Sequence, residues 1–299
     1  MYKIAFLGSE NSHAMNFAKI VKGGYGLGDG YPDFEIVGAY GSSPDANEKL
    51  KGIGVPYIAD NYDEFVGKVD AIMITARHGD NHLKYAEPYF KSGIPMFIDK
   101  PFTISEEDAL TLARKAKENG CALCGGSVLR VLGDVKGIKK QVLPALKGES
   151  ETLGRVVGGS VSSPLYYMDN CGGFFFYSQH LVEMILEVFG PDMKSVHAFP
   201  KAGGKPVTVV CRYDDFDVTA HFGTKEYTIT AHTQYGMFHT VVDSVTDAFQ
   251  KEFEEFARTV RYNRMEVSFD TLLRPVFVLN AMNRSIESGK EEVIHTFEF

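Results

Sequence analysis

Cysteine is scarce in this chain, and basic clusters and long apolar runs are missing from it. Four cysteines occur, Cys121, Cys124, Cys171 and Cys211, and only the first two share a Cys-x-x-Cys spacing. A zinc site needs a second such pair or nearby histidines, and a redox motif opens a helix. This pair falls on Cys121-Ala122-Leu123-Cys124, which reads as a strand, so the thiols read as small buried hydrophobes and no metal site is expected. Lys and Arg number 31 against 39 Asp and Glu, for a formal charge of -8. No basic cluster is interleaved with aromatics, which excludes nucleic acid as an expected partner. No stretch approaches the roughly 20 apolar residues of a membrane span, and the apolar run of Met1 to Gly8 is too short for a signal peptide. A soluble, cytoplasmic protein without membrane contact is expected. No repeat is present, and the one biased tract is Phe174-Phe175-Phe176-Tyr177.

What the chain has is length and alternation. At 299 residues, 44% of them hydrophobic, two domains are expected, residues 1–125 and 126–299. Lys3 to Leu7 reads as a strand, and after Gly8 either Asn11 or Ser12 caps a helix with Ala14, Phe17, Ala18 and Val21 on one face, ended by Gly23 and Gly24. Phe34 to Tyr40 is a second strand, and Ser43-Pro44 opens a short helix to Lys51. Val69 to Ile74 is a third strand. Asp80 then caps a helix reaching Ser92, with Pro88 expected to kink it and Gly93 to stop it. After a strand at Ile94 to Ile98, Ser105-Glu106-Glu107-Asp108 resembles a capping box for a helix ending at Asn119-Gly120, and Cys121 to Cys124 closes the series. Such alternation predicts an α/β fold, a doubly wound parallel sheet. From about Gly125 six short strands predict a largely antiparallel open sheet, interrupted by a helix from Ser178 to Phe189. Two long helices follow, Ser244 to Tyr262 capped by Ser244 and Phe269 to Ser288 stopped by Gly289, which makes the second domain α+β.

In a Rossmann fold the first helix receives a pyrophosphate at its amino end, where free N–H groups and the helix dipole favour anions. Here the loop is Gly8-Ser9-Glu10-Asn11-Ser12-His13. Only the first glycine of G-x-G-x-x-G is kept; Glu10 and His13 stand in the second and third places, and a carboxylate aimed at a diphosphate repels it. The strand before, the helix after, and the donors Asn11 and Ser12 suit a dinucleotide. At the end of the second strand an acidic residue grips the ribose of NAD and an arginine favours NADP. Tyr40-Gly41-Ser42-Ser43 supplies neither, so NAD and NADP stay open. The strand Ile94 to Ile98 ends at Asp99-Lys100-Pro101. In open α/β sheets ligands collect beyond carboxyl ends of strands, which makes Lys100 a candidate acid/base; the bland alternative is a solvated loop lysine.

With these pieces in order, the chain resembles the glucose-fructose oxidoreductase, inositol dehydrogenase and rhizopine catabolism (Gfo/Idh/MocA) family over nearly its whole length. The hallmark Glu/Asp-Lys-Pro is matched by Asp99-Lys100-Pro101, the His-x-x-x-Ala by His82 to Ala86, and the glycine and arginine ending the Rossmann domain by Gly126 and Arg130. Gly172-Gly173, His180 and Glu183 look like the signature of the substrate domain, and Ala281 to Lys290 is similar to the terminal helix. The resemblance implies an NAD(P)-dependent dehydrogenase or reductase acting on a sugar, cyclitol or related small molecule, in a homo-oligomer, dimer or tetramer, that associates through the open face of the second sheet. It implies Lys100 as acid/base and His180 as a second proton carrier, either relaying to Lys100 or hydrogen-bonding the substrate oxygen. For the cofactor it implies Gly8, Glu10, Asn11, Ser12 and His13 on the first loop and Gly41 and Ser42 after the second strand. Thr75, Arg77 and His82 follow the third strand, with Asp99 and Arg130 completing the set. Two departures matter: the family's Asp four residues before the histidine falls at Phe176, and its glycine two before falls at Ser178. Phe176 and Tyr177 then wall a site for a less polar substrate, or stack on the carbon face of a sugar ring. Two other readings are a non-catalytic sensor of a dinucleotide or sugar, and an enzyme that keeps its cofactor bound for a transient oxidation.

Overall fold

The chain opens with β1 (Tyr2–Leu7), whose Ile4, Ala5, Phe6 and Leu7 are all fully buried. Four apolar residues in a row with no polar alternation mark a strand covered on both faces. This computed structural model describes residues 1–201, 207–243 and 247–299. After β1 come α1 (Ser12–Val21), β2 (Phe34–Tyr40), α2 (Pro44–Gly52), β3 (Ala71–Ile74), α3 (Asp80–Ala86), β4 (Met96–Asp99), α4 (Glu106–Glu118) and β5 (Leu123–Gly126). The five strands pair in parallel in the order β2-β1-β3-β4-β5. A single parallel rung, Ala39 with Ile58, extends the sheet outside β2. With that rung counted as a strand the order becomes 3-2-1-4-5-6, the doubly wound dinucleotide-binding arrangement.

Local chemistry explains the helix starts. Asn11, Ser43 and Ser105 accept hydrogen bonds from the backbone N–H of His13, Ala46 and Asp108 at 3.4, 3.4 and 3.0 Å, each satisfying an orphan donor of a first turn. Asp80 is not a cap: it is the first residue of α3, and Gly79 holds the cap position without a side-chain bond. The expected single helix to Ser92 divides at Pro88, with Glu87–Ser92 wound as a 3-10 helix. Proline has no N–H to continue the α-helical ladder and crowds the carbonyl four residues back. The strand expected at Cys121 begins two residues later and runs on to Gly126; all four cysteines are free, buried thiols.

The chain divides into two compact units, residues 1–126 with 249–273 and 299, and residues 127–248 with 274–298. The first therefore includes most of α7 (Ala248–Tyr262). Phe253, Phe256, Ala257 and Val260 of α7 join Phe17, Val21, Phe34 and Phe97 in one buried cluster. Phe253 packs edge-on against Tyr31 and Phe34 with centroids 4.6 and 5.5 Å apart, and Arg261 binds both carboxylate oxygens of Asp33 at 2.7 and 2.8 Å. Ser244, expected to cap this helix, lies outside the described residues.

The second unit holds α5 (Gly133–Leu146), β6 (Val156–Ser163), α6 (Phe175–Phe189), β7 (Ser195–Pro200), β8 (Val207–Arg212), β9 (Asp217–Phe222), β10 (Thr228–Thr233) and β11 (Gly236–Val241). It also has β12 (Glu291–Val293) and the larger part of α8 (Phe269–Ser288). Its sheet runs β11-β10-β6-β9-β8-β7-β12. Every pair is antiparallel except β6 with β9, which is parallel. Residues alternate as a one-sided sheet requires: Val207, Val209 and Cys211 of β8, and Val218, Ala220 and Phe222 of β9, are buried while their neighbours are not. Two elements, α5 and β12, go beyond the sequence reading. Among the described residues no helix is long and apolar enough to cross a membrane.

Candidate active site

The first unit builds a cradle at the carboxyl ends of β1, β3 and β4. Gly8 turns the chain out of β1 with φ of 103°, and a Cβ there would stand 2.2 Å from Ala76 N, so only glycine fits. Gly8 and Ser9 donate their N–H groups to Tyr40 O at 2.7 and 3.1 Å, and Thr75 donates its hydroxyl to Gly8 O at 3.1 Å. The loop is thereby pinned between the ends of β2 and β3. That is where the strand order reverses and where ligands of such sheets bind. Gly41 closes the β2 side: a Cβ on it would lie 2.0 Å from Ser9 Oγ. Asn47 bridges the two loops, accepting from Ser9 Oγ at 2.5 Å and donating to Gly41 O at 3.0 Å. Ser12, exposed, is the first residue of α1, and Ser42 is exposed beside Gly41.

Asp99, the last residue of β4, is the node of this cradle. It is fully buried, and its Oδ1 accepts from Lys100 N at 2.7 Å. Its Oδ2 accepts from Asn11 Nδ2 at 3.1 Å and lies 2.7 Å from His13 Nδ1. Burial alone would push this carboxyl up; the charge and contact of His13, with Lys100 beside it, outweigh burial and hold it below the usual carboxylate range. Asp99 therefore stays ionised and ties the Lys100 segment to the amino end of α1. Lys100 is itself 2% exposed, which sets aside the solvated-loop alternative.

Two more of the anticipated residues have defined jobs. His82 has no exposed surface; its Nδ1 lies 3.0 Å from Phe102 O and its Nε2 2.8 Å from Ala76 O. It fastens the loop after β3 to the loop after β4, and burial pushes its pKa down. Glu10 turns one carboxylate oxygen, Oε1, onto the N–H of Arg77 at 3.3 Å, while Oε2 is buried with no partner.

The second unit assembles a buried polar group where residues 127–131 meet α6. Ser127 N donates to Glu183 Oε1 at 2.8 Å, and Gln179 Nε2 donates to the same oxygen at 2.6 Å. Arg130 Nε stands 3.6 Å from Glu183 Oε2. Ser127 Oγ accepts from Leu129 N at 3.2 Å and lies 2.7 Å from His180 Nδ1. Arg130, anticipated at the cofactor, is thus placed against Glu183 in the second unit. His180 is flanked by Tyr177, ring centroids 4.8 Å apart and nearly perpendicular. Burial and a hydrogen bond with Tyr177 push the Tyr227 hydroxyl well up. Phe174, Phe175 and Phe176 are buried at the start of α6, which begins three residues ahead of Ser178. Sequence reasoning missed Ser127, which stands in no motif and meets its partners more than fifty residues away, and Gln179, whose i,i+4 spacing to Glu183 on α6 was the signal that could have found it.

Residues 3–127 match the model of an oxidoreductase family with an NAD-binding Rossmann fold, Gfo/Idh/MocA. Among curated proteins none matches the sequence. Solved structures align over almost the whole chain. Myo-inositol 2-dehydrogenase from Lactobacillus plantarum has a TM-score of 0.82 at 17% identity, covering 98% of this chain and 99% of that one. Myo-inositol dehydrogenase from Lactobacillus casei, in complex with NAD(H) and myo-inositol, has a TM-score of 0.81 at 12% identity, covering 100% and 98%. The WlbA dehydrogenase from Chromobacterium violaceum, in complex with NADH and UDP-GlcNAcA, has a TM-score of 0.80 at 14% identity, covering 99% and 97%. At these identities the likeness establishes the fold. Residues 3–127, which include the cradle around Gly8 and Asp99, are thus similar to the NAD-binding Rossmann domain of the Gfo/Idh/MocA oxidoreductases.

Proposed function

We propose that this protein is an NAD-dependent dehydrogenase or reductase that moves a hydride between the nicotinamide and a secondary alcohol or ketone of a sugar, cyclitol or related compound. The observation that carries the reading is a buried lysine, Lys100, at the end of β4, beside an ionised Asp99 bonded to Asn11 at the amino end of α1. The cradle fits the cofactor. The first turn of α1 supplies N–H donors for a pyrophosphate, and Glu10, engaged by Arg77 N–H, keeps one buried acceptor without a partner, which a ribose hydroxyl or a carboxamide N–H satisfies. Gly41-Ser42-Ser43 after β2 supplies neither an acidic residue nor an arginine; what supports NAD is the match of residues 3–127 to a family model described as NAD-binding.

When bound, the nicotinamide accepts or returns the hydride. Lys100 takes the hydroxyl proton at Nζ during oxidation and returns it during reduction, and His180 of the second unit stays the second proton carrier that the resemblance implies. Tyr177 offers an aromatic edge to the carbon face of a ring. On this reading the protein works as a homo-oligomer, as its resemblance implies. The test is a spectroscopic screen: purified protein, NAD and a panel of cyclitols, sugars and their keto forms, following reduced nicotinamide. Lys100→Ala is expected to abolish turnover and leave the dinucleotide affinity nearly intact. Turnover surviving in that variant removes Lys100 from the reaction. Dinucleotide binding with no turnover on any substrate favours a sensor, and net conversion without reduced nicotinamide favours a transiently oxidising enzyme.

A further inference from the structure

Within the second unit, a row of rings leads from the buried polar group to the surface. His180, 5% exposed, meets the Tyr177 ring edge-on, and Tyr177 meets Tyr166 with centroids 4.7 Å apart and planes 78° apart. Tyr227, just before β10, stands 6.3 Å from His180 and hydrogen-bonds with Tyr177. Tyr166 lies on the segment between β6 and α6 and is 55% exposed. A lone surface tyrosine needs no explanation, but this one ends a continuous row of aromatics that starts at a buried histidine. A near-perpendicular contact covers at most one ring face, so Tyr166 keeps an open apolar surface beside the half-buried Tyr177. Phe176, expected to wall the site, is buried, and Tyr166 is the exposed ring instead.

The charges behind this row are paired with one another. Glu183 accepts from Ser127 N and Gln179 Nε2 and stands 3.6 Å from Arg130 Nε. Burial and the hydroxyls of Tyr177 and Tyr166 push the Tyr227 hydroxyl up, and no charged side chain among the described residues contributes. An acidic sugar drawn against these rings gives up hydration without gaining a counter-charge, which is unfavourable. To an amino sugar an exposed ring offers only a weak cation–π attraction. A pyranose or cyclitol ring suits the row better, because the C–H groups of one face lie on an aromatic face while its hydroxyls stay at the rim, toward water and the tyrosine hydroxyls. We propose that Tyr166 and Tyr177 form an aromatic shelf for the apolar face of an uncharged sugar or cyclitol ring, with Tyr166 as a specificity-determining contact. Calling that ligand the substrate rests on the proposed function, whereas the shelf does not.

The experiment combines calorimetric titration with NMR of the whole protein carrying carbon-labelled tyrosine rings, the Tyr166 signal being identified by its loss in Tyr166→Phe. NADH is present, so that an alcohol binds without turnover. The probes are methyl β-glucoside and myo-inositol, which are uncharged, glucuronate as the anion and glucosamine as the cation. An uncharged probe is expected to bind and to move the Tyr166 signal. Tyr166→Ala is expected to weaken that binding on the order of tenfold at an unchanged melting temperature, since the ring is exposed, and Tyr166→Phe to retain it. In turnover the same loss is read as a raised KM with kcat nearly unchanged. Affinity that survives in Tyr166→Ala, a Tyr166 signal that neither uncharged probe moves, or tighter binding of glucuronate or glucosamine overturns the proposal. Uncharged-sugar binding that depends on Tyr166, in a protein that transfers no hydride from any hydroxy compound, would sustain the shelf and count against the proposed function. Turnover of a sugar with a KM indifferent to Tyr166→Ala would do the reverse.

Discussion

Replacing Asp99 by Asn tests whether an ionised carboxylate holds the cradle together. Asp99 accepts from Lys100 N and Asn11 Nδ2 and lies against His13 Nδ1. The amide keeps one acceptor oxygen, so in either orientation an NH₂ group faces the N–H of Lys100 or the amide of Asn11. A buried donor left unmet costs about 1–3 kcal/mol. Removing one member of a buried charge pair costs about 3–5 kcal/mol, which already includes part of the former. Taking about 3–5 kcal/mol in all, and roughly 2–4 °C per kcal/mol for a protein somewhat smaller than this one, the melting temperature of Asp99→Asn falls by about 6–20 °C at neutral pH. The pH dependence has a definite sign. A carboxyl held below its usual range in the folded state contributes stability that is fully present above its ordinary pKa of about 4 and is lost as pH falls through the lower folded value. The amide has no such group, so the gap between wild type and variant narrows in acid. Thermal unfolding from neutral pH into acid is the assay. A neutral-pH melting temperature unchanged by the substitution, or a gap that widens on acidification, refutes the reasoning.

The remaining predictions concern glycine and packing. Gly8→Ala puts a Cβ against the backbone of Ala76 at a φ that L residues avoid, so the β1 loop must shift; calorimetric titration is expected to show dinucleotide binding lost, and unchanged binding would contradict the pinned loop. Phe253→Ala opens a cavity among Tyr31, Phe34 and Phe17 and is expected to cost about 3–5 kcal/mol, read from urea unfolding. A loss under 1 kcal/mol would mean that α7 is not part of that core.

Much of the first unit was legible because its strands are short apolar runs separated by capped helices. Asn11, Ser43 and Ser105 cap as their positions imply, and Asp99-Lys100-Pro101 stands where ligands of parallel sheets gather. Other features escaped for identifiable reasons. Helix α5 contains Gly133, Gly137 and Pro144, residues that punctuate a sequence, although Val135, Ile138, Val142 and Ala145 form its buried stripe. Glu10 looked hostile to an anion because sequence cannot show that Oε1 bends onto the Arg77 N–H. Ser127 meets His180 across 53 residues, a pairing that only tertiary structure creates. The parallel pairing of β6 with β9 is equally non-local, since hairpin spacing signals antiparallel neighbours.

The re-entry of α7 into the first unit has a consequence for biosynthesis. With Phe253, Phe256 and Val260 part of the cluster around Phe17 and Phe34, a nascent chain that has just completed β5 carries a sheet with one greasy flank bare. About 130 more codons separate Gly126 from Val260, which at ordinary translation speeds is on the order of 10–30 s. Throughout that interval the emerging half is a client for holdases, and a fragment ending at Gly126 is expected to be sticky.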